Sequence, residues 1–127
     1  MQKRPQTTGH NRTTGGRGEQ VAAAYLQAHG YRILERNYTY GRGEIDLIVR
    51  DEKTLVFVEV KARFRGGYGM PEERVTRSKQ RQIGRVAQAY LQKLRAPLTI
   101  DCRFDVIAVD LDGPEPVVRH LTDAFWL

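Results

Sequence analysis

The chain has a single cysteine, Cys102, in 127 residues. It can form no disulfide within itself, and so sparse a thiol content fits a reducing compartment. Its histidines, His10, His29 and His120, are scattered singly, and no Cys/His cluster has the spacing of a zinc site. Each histidine is expected at the surface or a boundary. No apolar run approaches the roughly 20 residues of a membrane-spanning helix. Met1–Thr8 lacks the apolar core of a signal peptide. These absences set the expectation of a cytoplasmic protein with no membrane partner. Acids are missing from residues 1–18, which hold Lys3, Arg4, Arg12 and Arg17. With almost nothing to bury, residues 1–16 are expected to form a mobile basic arm. Residues 17–127 are expected to form one domain around one core, being too few for two ordinary domains.

What is present is charge. The chain carries 21 Lys and Arg against 15 Asp and Glu, a net +6. A second basic segment, residues 63–95, holds nine Lys or Arg against Glu72 and Glu73. Such a balance attracts polyanions. A basic surface beside a knot of carboxylates suits a metal-dependent enzyme acting on nucleic acid, because phosphate must be drawn toward acids that repel it.

That knot lies in Gly43-Glu-Ile-Asp-Leu-Ile-Val49 and Leu55-Val-Phe-Val-Glu-Val-Lys61, two strand-forming runs separated by the polar corner Asp51–Thr54. Paired as a hairpin with a short loop, they put Ile45, Leu47, Val49, Val56, Val58 and Val60 on one apolar face. Asp46 then faces Glu59 on the other, and Glu44 faces Lys61. Directly opposed like charges are destabilising, and a divalent cation between Asp46 and Glu59 would reverse that sign. Mg²⁺ takes one or two carboxylates and keeps several waters for a phosphate substrate. Lys61 is placed to orient or deprotonate a water or to hold a phosphate oxygen. An ordinary sheet face with a Glu44–Lys61 surface ion pair is the plainer account.

The run Gly43-Glu44-Ile45-Asp46-Leu47-Ile48 with Val58-Glu59-Val60-Lys61 resembles the core of the PD-(D/E)xK nuclease superfamily. More narrowly, the chain from about Gly18 onward resembles the YraN-type family of small bacterial proteins, which are similar to archaeal Holliday-junction resolvases. The slot before Asp46, often proline in the superfamily, holds Ile45. The resemblance implies Mg²⁺ (or Mn²⁺) held by Asp46, Glu59 and the Val60 carbonyl, with Glu19 of the first helix joining them. It implies Lys61 assisting the attacking water, Glu44 in support, and DNA, with branched DNA among its forms, as substrate. Resolvases work as dimers, so a homodimer is a further implication.

The remaining elements fit around this hairpin. Gly18–His29 reads as an Ala-rich helix closed by Gly30, with Glu19 in line with Ala22, Ala23 and Leu26 on its inward face. Tyr31–Tyr40 reads as a strand interrupted by Glu35-Arg36-Asn37. Gly41-Arg42-Gly43 turns into the hairpin, with Arg42 placed to meet phosphate. The Gly/Pro-rich stretch from Ala62 to Val75 reads as a loop whose Arg63, Arg65, Phe64 and Tyr68 suit phosphate and unpaired bases. Thr76–Arg95 reads as a helix with an apolar stripe through Ile83, Val86, Ala87, Tyr90, Leu91 and Leu94, capped by Thr76 or Ser78. Lys79 and Gln80 extend that stripe toward the site. Cys102–Val109 and Val117–Leu121 read as strands. Asp105 is expected as a buried acid paired with a nearby base such as Arg103 or a helix residue, ahead of a catalytic role, and Phe125-Trp126-Leu127 as needing cover from the core or a partner chain.

The expected fold is therefore an α/β domain of order α-β-β-β-α-β-β. The resemblance adds a restriction-endonuclease-like central mixed sheet with flanking helices. The expected function is Mg²⁺-dependent endonucleolytic hydrolysis of DNA. Two rivals stand beside it: a non-catalytic nucleic-acid-binding module on a nuclease fold, and a scaffold for a protein partner at the aromatic C-terminus. The opposed Asp46 and Glu59 favour the enzyme, since binding alone has no use for them.

Overall fold

The computed structural model describes residues 14–63 and 75–125. Helix α1 (Thr14–Ala28) is followed by strands β1 (Arg32–Tyr40), β2 (Gly43–Asp51) and β3 (Thr54–Arg63), helix α2 (Arg77–Leu94), and strands β4 (Asp101–Asp110) and β5 (Val117–Leu121). The strands form one mixed sheet in the order β1-β2-β3-β4-β5. Only β3 and β4, joined across α2, run parallel; the other neighbours are antiparallel. The fold class and element order are those expected.

Both faces of the sheet are apolar, and each takes one helix. Ala22, Ala23 and Leu26 of α1 pack on Leu47, Val49, Val56, Val58, Ile107 and Val109. Ile83, Val86, Ala87 and Tyr90 of α2 pack on Ile48, Phe57 and Val106. The near-continuous apolar run Leu55–Val58 is the pattern of a strand buried on both sides. The expectation of a single apolar hairpin face is corrected in one more respect. Ile45 lies in the α2 cluster, not with Leu47 and Val49, because the strand rolls about its axis at Asp46.

Two glycines set how closely the helices approach. A Cβ on Gly18 of α1 would lie 2.5 Å from Ala62 Cβ on β3, and one on Gly43 of β2 would lie 2.6 Å from Val86 Cγ2 on α2. These contacts seat α1 and α2 directly on the end of the hairpin that carries the acids. Helix α1 begins at Thr14, earlier than the expected Gly18, and Gly18 within it serves close packing rather than breaking the helix. Thr76 caps α2, its Oγ1 accepting from Lys79 N at 3.1 Å. Phe125 finds cover by stacking on Phe104, ring centroids 5.1 Å apart. Phe64, Arg65, Tyr68, Trp126, Leu127 and most of the expected basic arm lie outside the described residues.

Gly18→Ala is expected to destabilise the protein by about 1–3 kcal/mol through overpacking, measured by urea unfolding. Adding Ala62→Gly should recover part of the loss. Unchanged stability in the single variant would contradict the contact.

Candidate functional site

The β2–β3 ladder pairs Asp51 with Thr54, Val49 with Val56, Ile48 with Phe57 and Leu47 with Val58. This is the expected register. Asp46, Glu59, Glu44 and Lys61 lie past its last paired rung. There Asp46 makes no directly opposed pair with Glu59; its Oδ2 instead accepts the Val60 N–H at 2.8 Å. A side chain thus takes the place of a ladder bond, and the Asp46 and Glu59 carboxyl groups lie close enough to act on each other by charge.

Their electrostatics follow from burial. Asp46 is pushed up to about 8, first by loss of water, then by Glu59, with smaller contributions from Glu19 and Glu44; the Val60 N–H opposes them. Glu59, only 7% exposed, is also raised by burial, against Lys79, Lys61 and its bond to Asp46. Burial and mutual repulsion thus favour the protonated form of both carboxyls. Lys79 Nζ, from the first turn of α2, lies 3.8 Å from Glu59 Oε2. Glu59 Oε1 is buried with no hydrogen-bond partner.

The other buried acid shows what full satisfaction looks like in this sheet. Asp105 of β4 is paired with Val58, one rung from Glu59, yet faces α1. It takes Arg103 Nε at 2.9 Å and Nη2 at 3.0 Å, Asp123 N at 2.9 Å and His120 Nε2 at 2.7 Å. Despite burial, these partners hold its carboxyl below the usual range. Asp105 is thus the paired acid expected, and His120, a boundary residue as expected, turns its side chain, only 8% exposed, into the same structural cluster.

One contributor had no clear signal in the sequence. Asn37, inside β1, has a left-handed backbone with φ 51°. It falls between the pairs Arg36↔Leu47 and Tyr38↔Ile45, across from Asp46. Its Nδ2 donates to Glu19 Oε1 at 3.0 Å, orienting the α1 carboxylate. The interruption at Glu35-Arg36-Asn37 was its only trace, together with the tolerance of Asn for positive φ.

The other expected site residues divide. Glu19 and Glu44 are half-buried and close enough to act on Asp46 by charge. Lys61 is half-buried and acts on Glu59. Arg42 is exposed at the β1–β2 turn. Arg63 is engaged with Asp110 at 2.6 Å, and Gln80 donates to Val75 O at 2.8 Å, closing the start of α2. Arg65 lies outside the described residues.

Among the described residues no three His, Cys, Asp or Glu side chains converge as a metal set. A closed site of side-chain donors, such as structural zinc uses, is not formed. A hard cation needing two carboxylates, a carbonyl and waters does fit. The unpartnered Glu59 Oε1 beside the raised Asp46 carboxyl marks the place it would take.

Fold and site together define a class: a two-helix α/β domain whose hairpin ends in a carboxylate pair, Glu59 buried and Asp46 half-buried, flanked by lysines. The chain belongs to the UPF0102 family. Residues 18–109 match the model described as "Uncharacterised protein family UPF0102". It is 50% identical over 119 residues to a UPF0102 protein of Geobacter sulfurreducens, covering 93% of this chain and 92% of that one. It is 55% identical over 95 residues to one from Chlorobaculum tepidum, covering 75% and 73%. No helix among the described residues is long and apolar enough to cross a membrane.

A carboxyl raised from 3.8 to about 8 favours the fold below its ordinary value, and that support is lost as pH rises through its folded value. In EDTA, Asp46→Asn should therefore gain stability over wild type between pH 4 and pH 8, as thermal melts would show. Mn²⁺ at pH 8 should stabilise wild type and not the variant; a flat difference across pH would refute the raised Asp46 carboxyl. Asn37→Gly keeps the left-handed backbone but loses the amide. It should melt within a few degrees of wild type yet bind Mn²⁺ several-fold more weakly by calorimetry, whereas a purely conformational role for Asn37 predicts unchanged binding.

Proposed function

We propose that this protein is a divalent-cation-dependent nuclease that hydrolyses phosphodiester bonds in DNA, branched forms included, and belongs to the PD-(D/E)xK superfamily. The observation that carries this reading is the contrast between the two buried acids. The sheet surrounds Asp105 with four hydrogen bonds but leaves Glu59 Oε1 without a partner beside a second raised carboxyl. An acid buried for stability alone is normally satisfied.

Asp46, Glu59 and the Val60 carbonyl would hold Mg²⁺ or Mn²⁺. The cation supplies charge neutralisation at the scissile phosphate and makes water a better nucleophile. Lys61, next after Val60, holds a phosphate oxygen or orients the water. Lys79 offsets the negative charge from the opposite side. Glu19 and Glu44 add negative potential that strengthens cation binding, and Asn37 orients Glu19. Arg42, exposed at the turn, meets the DNA backbone. Cutting two strands of a junction would take two copies of the chain.

The test is incubation with linear duplex, single-stranded and four-way-junction DNA in Mg²⁺, Mn²⁺ or EDTA. Cleavage is expected only with a cation, and Glu59→Ala or Asp46→Ala should reduce it by about a hundredfold or more while circular dichroism shows the fold retained. Cleavage that survives chelation would refute the metal role. Binding without cutting under every condition would establish the binding module in its place.

A further inference from the structure

On the α2 side of the sheet lies a cavity of about 490 Å³, a size that takes a small organic ligand. Phe57 of β3 and Phe104 of β4 form an aromatic floor, stacked with centroids 5.4 Å apart at 29°. Cys102 and Leu91 extend the apolar wall, and Arg81 and Arg85 of α2 stand at its rim. The two arginines are exposed and one helical turn apart, hence on one side of α2. Neither has an acidic partner among the described residues. Phe57 precedes Glu59 by two residues, so both side chains point to the same face of β3. The cavity and the carboxylate pair are therefore neighbours, spanned by one helix that brings Lys79 to Glu59 and the two arginines to the cavity.

An apolar cavity under a pair of guanidiniums matches a ring that carries an anion, and the guanidinium fork suits phosphate. We propose that this cavity takes an unpaired base of a nucleic-acid strand, with the phosphate of that nucleotide on Arg81 and Arg85. The nuclease reading supplies the polymer; the cavity narrows the substrate to strands with an unstacked base, because a base inside a continuous duplex cannot reach such a pocket.

Cys102 is the only thiol and is half-buried in the cavity wall, so its reaction with dithionitrobenzoate reports occupancy. Burial, with Asp101 nearby, pushes this thiol up, and the assay is best run at alkaline pH. Thymidine 5′-monophosphate and oligothymidylate should slow the reaction saturably, with unphosphorylated thymidine several-fold weaker and duplex of equal length without effect. Arg81→Ala with Arg85→Ala should weaken protection about tenfold or more. No protection, equal protection by duplex, or an unaltered double variant would overturn the proposal. So would decanoate protecting as well as the nucleotide, or a thiol that reacts only after Trp126→Ala, which would make the chain itself the occupant. Cleavage by wild type with an unprotected thiol removes this inference and leaves the nuclease; saturable protection without cleavage does the reverse.

Discussion

A carboxylate taken out of water without a donor is among the costlier things a fold can contain, and this sheet buries two acids in adjacent rungs of neighbouring strands. Asp105 is answered fully, by a forked guanidinium, an imidazole and a backbone N–H. Glu59 is answered by an approach to Asp46 and by one lysine at 3.8 Å. The difference is not one of available chemistry, since the same sheet supplies both environments. It defines two kinds of acid in one core, the first fully bonded and the second left with an oxygen that has no partner.

The rest of the architecture serves that second acid. The hairpin ladder stops at Leu47↔Val58, which frees the Val60 N–H for the Asp46 carboxylate. The Gly18–Ala62 and Gly43–Val86 contacts press α1 and α2 against the same end of the sheet from opposite faces. One helix thereby delivers Glu19, the other Lys79. Neither residue belongs to the hairpin, yet both act on it at short range because no side chain holds the helices away.

Much of this was readable from local patterns with a strict period. Side-chain alternation determined the hairpin register, helical spacing located the α2 stripe, and the hydroxyls before a basic turn narrowed its cap to Thr76 or Ser78. The Asp105–Arg103 pair followed from a charge interrupting an apolar run. What escaped were departures from periodicity. A left-handed residue within a strand leaves no repeating signal, so Asn37 read only as an interruption. The roll at Asp46 that sends Ile45 to the opposite face was hidden for the same reason. The early start of α1 was masked by glycines that ordinarily end helices, and the inward turn of the His120 side chain depends on a partner 15 residues away. Arg63 illustrates a further limit: a cation near the site by sequence is bound to Asp110 across the sheet.

The irregularity of β1 has an effect unconnected with the site. This strand is one of the two outer members of the sheet, and its register shifts between Ile33 and Glu35 before the left-handed Asn37. A straight outer strand of nine residues would offer an unbroken row of amide and carbonyl groups to any other extended chain. Two kinks in so short a length break that row. The same asparagine that orients Glu19 therefore also guards the molecule against fibrillar self-association.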